Sequence, residues 1–139
     1  MALDMFLEIE GDSPDWAMIR LIAEKMDVEW PDTDPGKGPM HGSFPNSWMH
    51  FWVGGGGKDR ELREPVAEGK HDCHFLTRYT ILFRLINSKY DECREDIKKF
   101  LTHLSELTSM QFVLSFQFEG VYAIRDHQRG FEWFWDNTR

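Results

Sequence analysis

Three stretches hold residues whose types and spacing are those of chemistry: "GGGGKD" at 54–59, "HDCH" at 71–74, and a group of acids around Trp30. A glycine run ending in lysine is how a phosphate is cradled, because bare backbone amides reach the anion and an ammonium follows. The full pattern fails here. A phosphate loop needs its first glycine where Trp52 stands and a serine or threonine where Asp59 follows Lys58. The next stretch, "KDRELREPVAEGK", is broken at Pro65, so no helix follows to lend a positive N-terminus. The run therefore reads as a flexible tip between two strands.

Zinc needs three or four convergent ligands, and in an extended chain His71 and Cys73 share a face that His74 opposes. His41, His50, His103 and His127 are scattered singly, so no metal is expected. Cys73 beside His71 or His74 is the one pair that could be drawn as thiolate and base. It sits on no helix N-terminus and has no third group to orient it, which favours a structural thiol. Glu8 and Glu10 read as ordinary exposed strand acids. These readings assemble no catalytic set and call for no cofactor, so the chain is not expected to be an enzyme.

Recognition is the chemistry left. Asp27, Glu29, Asp32 and Asp34 fall within eight residues that contain no base, around Trp30 and Pro31. Clustered acids steer a protein onto a basic partner, and an exposed tryptophan supplies a desolvated anchor. Trp133 and Trp135, with Glu132 and Asp136, repeat the combination or else close the edge of the core.

Composition agrees with a binding role. The chain has 139 residues, enough for one domain with its own core, and 1–139 is read as a single α+β domain. Twenty-four acids against 16 bases give a net charge of -8, a field that repels nucleic acid and anionic membranes. No stretch approaches the roughly 20 apolar residues of a membrane span, and Met1 to Glu10 has no basic leader, so the cytoplasm is the expected compartment. Cys73 and Cys93 are then expected to be reduced.

The elements that must position these residues follow from periodicity. "DMFLEIE" alternates as a strand, and Ser13-Pro14 opens a helix whose stripe is Trp16, Ile19, Ile22, Ala23 and Met26. Residues 29–46 have no period and are expected to be a long loop. "SWMHFWV" is a strand with two greasy faces, and a long strand from His74 is expected to align Phe75, Thr77, Tyr79, Ile81, Phe83 and Leu85. Cys93, Ile97, Phe100, Leu101, Leu104 and Leu107 mark the clearest helix, followed by strands in "MQFVLSFQF" and "VYAIR" and a short aromatic end. The order predicts a ferredoxin-like βαββαβ fold: an antiparallel sheet, two helices on one face and an extra C-terminal strand. RNA-recognition modules share that order, but the chain lacks their aromatic run, and its charge has the wrong sign.

A small acidic α+β chain with many aromatics, a Pro/Asp-rich loop and no catalytic set resembles the bacterial immunity proteins that neutralise polymorphic toxins. The resemblance is one of character rather than motif. It implies a cytoplasmic protein that binds a cognate toxin, expected to be basic, and occludes its active site. Glu29, Asp32 and Asp34 are the expected steering acids, and Trp30, Trp48 and Trp52 the expected anchors. The opening "MALDMFLEIEG" is similar to the first strand of the tail-tube proteins of type VI secretion, a similarity that ends at Gly11. A competing class is a small-ligand-binding or enzymatic dimer whose paired sheets enclose His50, His74, Tyr79, Arg78 and Cys73. A third is a structural subunit that dimerises through its greasy second strand.

Overall fold

The computed structural model describes residues 3–12, 15–29, 40–55, 62, 64–68 and 72–135. The period-two opening segment forms β1 (Leu3–Ile9), and the stripe after it forms α1 (Trp16–Lys25). Then come β2 (Met40–Ser43), β3 (His50–Gly55) and β4 (Tyr79–Leu85). Helix α2 (Tyr90–Leu107) leads to β5 (Phe112–Phe116), β6 (Val121–Asp126) and β7 (Gly130–Trp133). The strands make one antiparallel sheet in the order β2-β3-β4-β1-β5-β6-β7. The molecule is thus α+β as expected, but its seven strands and their order depart from the βαββαβ sheet with one added strand.

Alternation decides what the sheet buries. Met5, Leu7 and Ile9 of β1 lie on one face with Phe51 and Val53 of β3, Tyr79, Ile81 and Phe83 of β4, and Phe112 and Leu114 of β5. Both helices cover that face, α1 through Ile19, Ile22 and Ala23 and α2 through Ile97, Phe100, Leu101 and Leu104. Each such side chain taken out of water stabilises by about 1.5–3 kcal/mol before entropy is counted, so this layer is the main core. Trp135 is buried within it and donates its indole N–H to the Tyr90 hydroxyl at 2.7 Å, which makes it an edge-closing core residue.

Several expectations change. Ser13 and Pro14 lie outside the described residues, and Asp15 caps α1 by accepting the Met18 N–H at 3.1 Å. Leu107, the last residue of α2, is exposed, whereas Asp96, a carboxylate on the apolar side, is buried. The long loop contains β2, a strand too short to show a period, whose ladder comes from β3. Gly54 and Gly55 continue β3 opposite Thr80 and Tyr79 rather than forming a tip, while 56–61 lie outside the described residues. The strand expected from His74 starts only at Tyr79. The Thr77 hydroxyl donates to the Tyr79 carbonyl at 3.0 Å, the chain bends at Arg78, and Phe75 is left in a different cluster from Tyr79.

Candidate functional site

The second sheet face is divided. Over β5 and β6, Ala67, Cys73 and Phe75 from the β3–β4 connection pack on Val113 and Ile124. Over β2, β3 and β4 no described side chain forms such a cover. Register sets His41, Trp52, Leu82, Phe6 and Ser115 opposite one another in successive strands, a row running across the sheet. Trp52 and His41 are exposed, Leu82 and Phe6 half-buried, and Phe6 stacks on Phe118 at 4.3 Å. The adjoining row holds His50, Arg84 and Asp4. Arg84 donates to both Asp4 oxygens, at 3.0 and 3.3 Å, and its guanidinium lies over Trp52 at 5.4 Å. The hydrogen bonds from Arg84 to Asp4 push its pKa upward.

Trp48 stands in the turn between β2 and β3, at the end of the sheet where β3 begins and β4 finishes. It is 63% exposed with φ at +61°, a left-handed conformation rare for so bulky a residue. The turn is fixed from below. Phe44, 1% exposed, packs on Phe51, Phe83 and Phe100, and its carbonyl accepts the Trp48 N–H at 2.7 Å. The Ser47 hydroxyl accepts the Met49 N–H at 3.2 Å, and the Asn46 amide donates to buried Asp96 on α2 at 3.3 Å. Lys89 donates to the Asn46 carbonyl at 3.2 Å and places its ammonium 4.4 Å from the centre of the Trp48 ring. Backbone strain of roughly 1–3 kcal/mol is thus imposed on a side chain that contributes little to the core.

Of the residues the sequence singled out, Trp52 lies on this bare half, and Trp48 stands in the turn before the same strand, under the Lys89 ammonium. Glu29 is exposed at the β2 edge of the sheet, its backbone bridged to Ser43 by hydrogen bonds of 2.9 and 3.0 Å. Trp30, Asp32 and Asp34 lie outside the described residues. Cations lie over the two tryptophan rings, Lys89 over Trp48 and Arg84 over Trp52. His41, His50, Leu82 and Phe6 join the site only through register, and the turn's strain could not be read from residue types at all.

The other candidates are dispersed. Tyr79 is buried under the helices, where burial pushes its hydroxyl well above the usual tyrosine range, so it shares no face with exposed His50. His74 is exposed and 3.1 Å from Glu64, and His71 lies outside the described residues. Cys73 is in no disulfide, and its thiol is pushed up to about 11, first by burial and then by Asp126 and Asp72, with Arg129 opposing. Such a thiol is not an activated nucleophile. Cys93 is also in no disulfide and is buried in α2, its thiol raised by burial. Among the described residues no group of three or more His, Cys, Asp or Glu converges as metal ligands, and no helix is long and apolar enough to cross a membrane. Glu8 is not the exposed acid expected from its strand. It is completely buried, and its two oxygens accept the Val66 and Ala67 N–H groups at 2.8 and 3.1 Å.

Comparison of the chain with protein-family models, with curated proteins and with solved structures finds no match.

Proposed function

We propose that this protein acts by binding, as an immunity protein that neutralises a cognate bacterial toxin by covering its active site in the cytoplasm. The observation that carries the reading is Trp48: a large aromatic held outward at a strained backbone by a turn that buried Phe44 and Asp96 fix in place. Strain kept at a position where folding gains little is accounted for by a partner that takes up the side chain. Trp52, Leu82 and Phe6 form an apolar strip across the strands that follow, and Glu29 with the acidic stretch after it supplies long-range attraction for a basic toxin. The middle strands run β3-β4-β1-β5 with helices after β1 and β4, which we take as a ferredoxin-like core widened by β2 on one edge and by β6 and β7 on the other.

Capture of the tagged chain from its native host, at low and high salt, tests the role. The expected result is one basic toxin-like polypeptide, bound more slowly as salt rises, whose toxicity is abolished by co-expression of this chain. A captured polypeptide that stays toxic when this chain is co-expressed contradicts neutralisation. Recovery of the chain alone points to the ligand-binding dimer instead.

A further inference from the structure

We propose that Asp96 is a positioning residue: a carboxyl set into the apolar stripe of α2, at a cost to the core, that fixes the turn carrying Trp48. The stripe runs through Cys93, Ile97, Phe100, Leu101 and Leu104, and Asp96 falls on the same buried side of the helix, 3% exposed. Among the described residues one donor reaches its side chain, the Asn46 amide, at 3.3 Å from Oδ1. Oδ2 is buried with no hydrogen-bond partner. A buried carboxyl oxygen that nothing meets destabilises a fold whether or not the group carries charge. An aliphatic side chain would serve the packing of α2 better at this position. The residue is accounted for by what it holds rather than by what it packs.

What it holds is Asn46, two residues before Trp48. Asn46 is exposed, and its polar groups are gripped from the N-terminal end of α2. Asp96 accepts the side-chain amide, and Lys89, the residue before the helix, donates to the main-chain carbonyl at 3.2 Å. Lys89 also lies over the Trp48 ring, so ring and turn are held from the same place. A bulky residue with φ at +61° relaxes to an ordinary conformation unless its surroundings over-determine it. Phe44 anchors the turn from beneath, in the core, whereas the Asn46 clamp acts at its exposed side. Without Asp96 the exposed Asn46 amide turns to water, so the fold loses little, while the turn gains freedom and Trp48 leaves its fixed direction. That a partner uses this direction rests on the binding role proposed above; the positioning itself does not.

The intact chain is prepared with 5-fluorotryptophan, and Trp48→Phe assigns the Trp48 line in its fluorine NMR spectrum. Asp96→Leu removes the acceptor and completes the apolar stripe, Asp96→Asn keeps an acceptor oxygen, and Asn46→Ala removes the donor. Asp96→Leu and Asn46→Ala are each expected to shift the Trp48 line toward its position in the urea-unfolded chain and to leave the other tryptophan lines in place. The double variant should shift it no further, because both act through one bond, and Asp96→Asn should keep the wild-type line. The urea midpoint of Asp96→Leu should equal or exceed that of the wild type. A Trp48 line that Asp96→Leu does not move, or that moves only with all the others at a lowered midpoint, overturns the proposal. If Asp96→Leu does not fold, Asn46→Ala, made at an exposed residue, decides by the same line. Calorimetric titration with the captured partner then separates the two claims. A roughly tenfold loss of affinity in Asp96→Leu supports both. A shifted Trp48 line with unchanged affinity supports the positioning and contradicts the reading of Trp48 as the anchor.

Discussion

The two halves of the second sheet face are built from the same strand alternation yet end in opposite states. Over β5 and β6 the exposed side of the pleat carries Val113 and Ile124, both completely buried by Ala67, Cys73 and Phe75. Over β3 and β4 it carries Trp52 and Leu82, comparable apolar residues, with Trp52 still 36% exposed. Hydrophobicity alone does not explain the difference, since both halves would gain from a cover. What differs is the polar framing. The covered half has Glu8, an acceptor placed to seize two backbone amides of a passing segment. The bare half has His50, Arg84 and Asp4, charged or polar groups already engaged at the surface or open to water. A face that the described residues leave half uncovered and framed with charge offers a surface to something else.

The sharpest way to break this comparison is a matched pair of truncations. Ile124→Ala should cost about 2–4 kcal/mol in urea denaturation, whereas Leu82→Ala, on the bare half, should cost about 1 kcal/mol or less. Equal losses would mean that the bare half is core. Next in size is partner affinity: Trp52→Ala, or Trp48→Gly, should weaken binding by about 2 kcal/mol, roughly thirtyfold, in calorimetric titration. Trp48→Gly should leave folding stability unchanged or slightly higher, because glycine accepts φ near +61° without strain and offsets the lost cation–π contact with Lys89. The smallest effect concerns the covered half. The Cys73 thiol is raised in the folded state to about 11 from about 9, so the unfolded chain loses this proton first. Its contribution is fully present below about pH 9 and fades between 9 and 11, at up to about 1 kcal/mol per pH unit. Cys73→Ala should flatten the alkaline limb of a pH–stability curve over that interval.

Much of this was legible in the sequence. The stripes of α1 and α2 and the core side of β1, β4 and β5 follow from spacing alone, because each presents one apolar face and the period names it. What escaped the sequence depends on partners distant along the chain. β2 is four residues around Gly42 and takes its ladder from β3. Phe75 continues the alternation of β4 on paper, but the bend at Arg78 interrupts it. Glu8 has the type and place of a surface acid, and only amides almost sixty residues on make it a buried one. In the candidate site, Trp48 and Trp52 were visible as residues. Their exposure, their cations and the row joining Trp52 to Leu82 and Phe6 arise from register, which no local pattern encodes.

The most direct test of the central claim is a hydrogen-exchange footprint of the captured partner on this chain. The account predicts added protection at His41–Ser43, in the Phe44–Met49 turn and along His50–Val53, with the outer faces of α1 and α2 unchanged. Protection confined to those helices, with the β2–β3 hairpin exchanging as in the free protein, would contradict it.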